Sequence, residues 1–111
     1  METQVKPKIY VAGPMRGLPN YNFPAFDAAA VDLRARGWAV VSPAEHDREI
    51  GVTAETPDNF TATDLRDMIM WDLDQVSRCD AVYFLRGWEN SKGARTEHAL
   101  AIFLGKELIY Q

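Results

Sequence analysis

Cysteine occurs once in this chain of 111 residues, at Cys79, so the sequence encodes no internal disulfide and no thiolate metal cluster. No apolar run approaches the roughly 18 residues that a membrane-spanning helix needs, and the start lacks the charged-then-apolar pattern of a leader. Cytoplasmic residence with little redox dependence is the expectation. Lys and Arg are never clustered and the formal charge is −4, so the basic footprint of a nucleic-acid polymer binder is missing. Internal repeats, low-complexity tracts and linker compositions are also lacking, which leaves residues 1–111 as one expected domain.

The composition is that of an ordinary globular chain, 47% hydrophobic and 25% charged, long enough to bury one core. Lys8 to Ala12 is a short β-rich run closed by Gly13-Pro14, and it predicts a buried first strand. Asn22-Phe23-Pro24 combines a capping-type residue with a helix-start proline. Phe23, Phe26, Ala30 and Leu33 follow at helical spacing up to Gly37. Trp38 to Val41 predicts a second strand stopped by Ser42-Pro43, and residues 44 to about 60, polar and without a period, predict a loop or lid over the site. A helix over 63–79, a strand over 81–85, a helix over 93–105 and a last strand over 108–110 complete the order. Alternating strands and helices imply a parallel sheet of four to five strands in a three-layer, flavodoxin-like or Rossmann-like α/β domain. Ligands of such sheets sit outside the carboxyl ends of the strands.

Two carboxylates stand on faces that ought to be apolar. Leu65, Met68, Ile69, Val76 and Cys79 form one helical stripe with Asp72 at its centre; Ala94, Leu100, Ala101 and Leu104 form another with Glu97 at its centre. A lone core-facing carboxylate costs several kcal/mol, roughly, unless it is paired or faces a polar cavity, so two in one small chain call for a shared purpose. Taken singly, Glu97 also fits a first-turn anion favoured by the helix dipole. Taken together, neighbouring carboxylates push their pKa values apart and yield one anion and one acid. The dipole favours an ionised Glu97 and the apolar stripe a protonated Asp72, which assigns nucleophile and proton donor respectively.

The remaining candidates flank the strands. Gly13-Pro14-Met15-Arg16-Gly17 follows the first strand, where backbone N–H groups and the Arg16 fork suit a phosphate, although neither GxGxxG nor a P-loop is present. Ser91 and Gly93 precede the helix of Glu97 and suit a helix cap or an anion. Trp88, after the third strand, is preferred to Trp71 for stacking a base. His46, between Glu45 and Asp47, has no second His or Cys at ligand spacing, so neither metal nor cofactor is expected. Cys79 reads as a small buried hydrophobe, and His98 as a surface residue.

Ile9-Tyr10-Val11-Ala12-Gly13-Pro14 resembles the opening of the nucleoside 2-deoxyribosyltransferases, with Tyr10 at the position of a site tyrosine. Asp72-Leu73 followed by Asp80 is similar to that family's aspartate helix and next strand, and Gly93 to Ala101 to its glycine-to-glutamate signature, with Glu97 at the glycosyl nucleophile. Gly13 to Gly17 and Ser91 resemble the phosphate contacts of the nucleoside 5′-monophosphate N-glycosidases. Met15 to Leu18 and Gly87-Trp88-Glu89 resemble small phage-type members of the superfamily. The resemblance implies a double displacement in which Glu97 attacks C1′, Asp72 protonates the leaving base and Tyr10 orients Glu97. It implies a small-molecule nucleotide or nucleoside as partner, and a homo-oligomer. Because Gln111 precedes the segment that transferases lend to a neighbour's site, hydrolysis of a 5′-monophosphate, 2′-deoxy for preference, is expected ahead of base exchange or of a non-catalytic sensor module.

Overall fold

A computed structural model describes residues 5–111; residues 1–4 of the expected domain lie outside the described ones. Four strands, β1 (Lys8–Ala12), β2 (Ala39–Val41), β3 (Ala81–Phe84) and β4 (Glu107–Tyr110), form one parallel sheet in the order β2-β1-β3-β4. Helices α1 (Phe23–Ala35), α2 (Pro43–Glu49), α3 (Ala62–Arg78) and α4 (Lys92–Phe103) supply the connections. Strand order reverses between β1 and β3, the switch point at which ligand crevices open in flavodoxin-like sheets. No helix among the described residues is long and apolar enough to cross a membrane.

Alternation along β1 sorts the core into two halves. Ile9 and Val11 pack with Phe23, Phe26 and Leu33 of α1, whereas Tyr10 and Ala12 face Val76 of α3 and Ala101 of α4. Cys79 is buried with the second group, and its burial pushes the thiol pKa up, away from the reactive thiolate. The end of α1 is set by Gly37, whose φ of 96° lets the Trp38 N–H bond back to the Leu33 carbonyl at 3.1 Å. Asn22 does not cap α1 as its residue type suggests. It takes a left-handed conformation and its side-chain amide donates to the Pro14 carbonyl at 2.8 Å, tying the turn after β1 to the helix start.

The largest departure from expectation lies in residues 44 to 60. Their first part is helical: Pro43 opens α2 at a position where a missing N–H costs nothing, with Ala44 and Asp47 turned inward. Two bidentate pairs, Arg34 with Glu45 and Arg48 with Asp27, fasten α2 to α1. The stretch has no visible apolar period because one of its inward positions is a carboxylate. Helix α3 starts at Ala62 behind a capping box, in which the Asp64 N–H donates to Thr61 Oγ1 at 3.1 Å and the Thr61 N–H donates to Asp64 Oδ2 at 2.9 Å.

Gly13 sits where β1 passes closest to the chain after β3. A Cβ there would stand 2.8 Å from both Cβ and Cδ1 of Leu85, a fully packed side chain. Gly13→Ala is therefore expected to lower stability by about 1–3 kcal/mol through overpacking, read as a drop in the denaturant midpoint at an unchanged m value. An unaltered midpoint would show that the turn can yield.

Candidate active site

Tyr10 of β1, Asp72 of α3 and Glu97 of α4 meet at the face of the sheet covered by α3 and α4. Tyr10 is fully buried, Glu97 is 4% exposed and Asp72 is half-buried. The Tyr10 hydroxyl and Glu97 Oε2 have no hydrogen-bond partner within the protein. Buried polar atoms are rarely left this way, and two in one place mark a site built for something other than its own fold.

Burial first, and then the charges of Glu97 and Asp72, push the Tyr10 pKa well up, so its phenol stays protonated and is a donor. Burial also pushes Glu97 well above the usual carboxylate range, with the Asp72 charge adding to the shift. Asp72 is pushed up to about 7, chiefly by burial and secondly by the charge of Asp47. The nearby Tyr10 hydroxyl opposes both shifts, because a phenol O–H turned toward either carboxyl favours its anion, although no hydrogen bond between them is formed in the free protein. Burial thus disfavours the anion at both carboxyls in the free protein, Glu97 included. The dipole argument fails because α4 begins at Lys92, which makes Glu97 its sixth residue, beyond the first turn where the dipole acts.

A cavity of about 230 Å³ adjoins Asp72. Its apolar walls are Met15, Pro43, Ile50, Met68 and Trp71, and its polar lining is His46, Asp47, Asp67 and Asp72. Glu97 is not part of this lining. Asp47 is 8% exposed, and burial raises its pKa against the opposing influence of His46. His46 lies flat on Trp71, ring centroids 3.7 Å apart and planes within 4°, so the stack joins α2 to α3 across the mouth of the sheet. Asp47 and Trp71 thereby line the cavity beside Asp72, although the sequence ranked neither as a site residue. The available signal was the Ser42-Pro43 helix start, which puts Asp47 one turn after Ala44 on the same inward face.

The other expected contacts are placed differently. Arg16 does not project free: its guanidinium bonds Asp58 Oδ1 through Nη2 at 2.7 Å and Nε at 3.1 Å, and lies over the Phe60 ring. The Tyr21 hydroxyl donates to the Thr56 carbonyl, a second tie between the stretch after β1 and residues 50–61. Ser91 caps α4, its Oγ accepting from the Ala94 N–H at 3.1 Å. At Gly93 an added Cβ would meet Ser91 Oγ only at 3.9 Å, so packing does not require the glycine. Trp88 is not in the lining of the cavity at Asp72. It stacks on His98 at 4.2 Å and tilts against Phe84 and Tyr110, lining a separate recess at the ends of β3 and β4. His98 is correspondingly half-buried rather than at the surface, with Nε2 2.8 Å from the Tyr110 hydroxyl. Asp80 caps the foot of the sheet, Oδ2 accepting from the Lys8 N–H at 2.8 Å.

Known proteins give three findings. A family model described as a domain of unknown function, DUF4406, matches residues 7–110. No curated protein matches the sequence significantly. Among solved structures, a 2-deoxyribosyltransferase from the psychrotolerant bacterium Bacillus psychrosaccharolyticus superposes with a TM-score of 0.68 at 20% identity, over 93% of this chain and 70% of that one. A 2-deoxyribosyltransferase from Leishmania mexicana superposes with a TM-score of 0.62 at 22% identity, over 94% of this chain. The chain spans 63% of the length of the Leishmania protein. These likenesses establish the shared α/β fold.

Proposed function

The chain belongs to the DUF4406 family, and from that premise we propose that it cleaves the N-glycosidic bond of a nucleoside by double displacement and passes the glycosyl group to a second base. The observation that carries this reading is the meeting of Glu97, Asp72 and Tyr10 beside a base-sized apolar cavity, with a hydroxyl and a carboxyl oxygen left unpaired. The fold shared with two 2-deoxyribosyltransferases supports transfer over the hydrolysis expected from the sequence.

In the productive state the proton shared by the two carboxyls rests on Asp72, and the Tyr10 hydroxyl donates to the Glu97 anion. Glu97 attacks C1′, the C1′–N bond breaks with its electron pair going to the base, and Asp72 protonates that base. The incoming base then attacks C1′, the glycosyl ester bond breaks back to Glu97, and the incoming base returns a proton to Asp72. The bound nucleoside must reach Glu97 as well as Asp72, of which only Asp72 lines the cavity. A homo-oligomer with sites at subunit contacts belongs to the same reading.

Hydrolysis of a nucleoside 5′-monophosphate is the second reading, with Gly13 to Gly17, Ser91 and Gly93 holding the phosphate. Its support is Gly93, a glycine that packing does not demand at the start of α4. Against it, Arg16 is already paired with Asp58, whereas Ser91 Oγ only accepts in its cap and keeps its O–H to donate.

One panel separates these readings: ribo- and 2′-deoxyribonucleosides and their 5′-monophosphates, each with and without a second free base, followed by chromatography. A new nucleoside that forms only with added base is the expected result. Free base released from a monophosphate without an acceptor would replace transfer by hydrolysis, and binding with no product would leave a nucleotide-binding module.

A further inference from the structure

The cavity beside Asp72 has a one-sided hydrogen-bonding character. At about 230 Å³ it falls below the roughly 300–1,000 Å³ of pockets that hold whole drug-sized ligands, so it suits a single planar ring system. Its apolar walls, among them Met68 and Trp71, match the faces of such a ring. Its ionisable lining is three carboxyls and one imidazole, without Lys, Arg, amide or hydroxyl side chains. The proton of Asp72 is destined for the leaving ring nitrogen, and His46 is committed face-on to Trp71. Asp67 is largely exposed and paired with Arg66 at 3.2 Å, which leaves Asp47, nearly buried on α2, as the group set to meet the far edge of the ring. An ionised carboxylate only accepts hydrogen bonds. Burial raises the Asp47 pKa, and the neighbouring His46 opposes that shift in favour of the carboxylate.

We infer that Asp47 is the specificity-determining residue of the base pocket and selects bases that present an exocyclic amine, such as adenine and cytosine, over their oxo counterparts hypoxanthine and uracil. The amine donates to the Asp47 carboxylate. An oxo group in the same place sets a carbonyl oxygen against an anion and leaves both without a donor, a buried mismatch that sites of this kind reject strongly.

The inference rests on the N-glycosidic reading and is tested by binding rather than turnover. Calorimetry on the Glu97→Gln protein, which holds nucleosides intact, compares adenosine with inosine and cytidine with uridine, each in ribo and 2′-deoxy form. The amino member of each pair is expected to bind at least about 10-fold tighter. Asp47→Asn keeps the shape and offers an N–H donor, and is expected to shift each ratio about 10- to 100-fold toward the oxo member. Equal affinities in the protein with Asp47 intact, or ratios that Asp47→Asn leaves unchanged, would overturn the inference while the reading of the reaction stands. Failure of every nucleoside to bind would remove both. The comparison within the Asp47 protein decides the matter even where Asp47→Asn does not fold.

Discussion

Glu97→Gln is expected to lower turnover at least about 1,000-fold, since it removes the atom that forms the covalent intermediate and leaves only binding and proton donation in place. The substitution preserves volume and hydrogen-bonding capacity at a position 4% exposed, so folding should survive. The thermal midpoint at neutral pH is expected to be equal or higher. Burial and the neighbouring Asp72 raise the Glu97 pKa in the folded chain, so folding disfavours its anion, a conflict that the amide lacks. Retained turnover with an intact fold would end the nucleophile assignment. Asp72→Asn should act more selectively, slowing base departure most where the leaving base is poorest, because proton donation matters in proportion to the charge it neutralises.

Stability is expected to fall as pH rises from about 4 to 7, the reverse of the usual acid sensitivity of small domains. Asp72 moves from 3.8 to about 7 on folding, so between those values the folded chain binds more protons than the unfolded one. Its contribution is fully present below the lower value and is lost as pH climbs through the upper. A tenfold difference in proton affinity between the folded and unfolded chains is worth about 1.4 kcal/mol, so the loss amounts to a few kcal/mol. Glu97 and Asp47, both raised by burial, act in the same direction. The pair of Arg34 with Glu45 works oppositely, since Arg34 lowers the Glu45 pKa, but its contribution is lost only as pH falls below the ordinary 4.5, under the pH 5 to 8 range of the measurement. Denaturant unfolding at pH 5, 6, 7 and 8 checks the slope, and Asp72→Asn should flatten it. A slope that persists in Asp72→Asn would assign the effect to the other carboxyls, and an absent slope in the unaltered protein would remove the raised pKa altogether.

Both effects depend on carboxylates whose positions are legible in the sequence. Asp72 and Glu97 each interrupt an apolar stripe, and a helical wheel finds them without any structure. The surroundings of Glu97 were not legible. The sequence places Glu97 near a helix start, but which residue begins α4 depends on the turn at residues 88–90 and the Ser91 cap. Those put Glu97 beyond reach of the dipole and into the interior, where desolvation prevails. Arg16 shows the same limit: its loop after β1 is readable, but its partner Asp58 lies 42 residues away.

The alternating pattern of apolar runs and helical periods determined by itself that this chain forms a parallel α/β sheet, because the two periods of 2 and 3.6 are local properties of the backbone. The two stripe carboxylates were likewise marked by local pattern, whereas Tyr10 was marked by the resemblance of its strand to a known family. Only the tertiary structure decided that Asp47 and Trp71, rather than Trp88, line the cavity beside Asp72, and that Trp88 stacks instead on His98. Helix α2 hides its inward face behind a carboxylate, and its seat against α3 rests on the His46–Trp71 stack between residues 25 positions apart. Contacts of that range follow from packing, which no local period encodes.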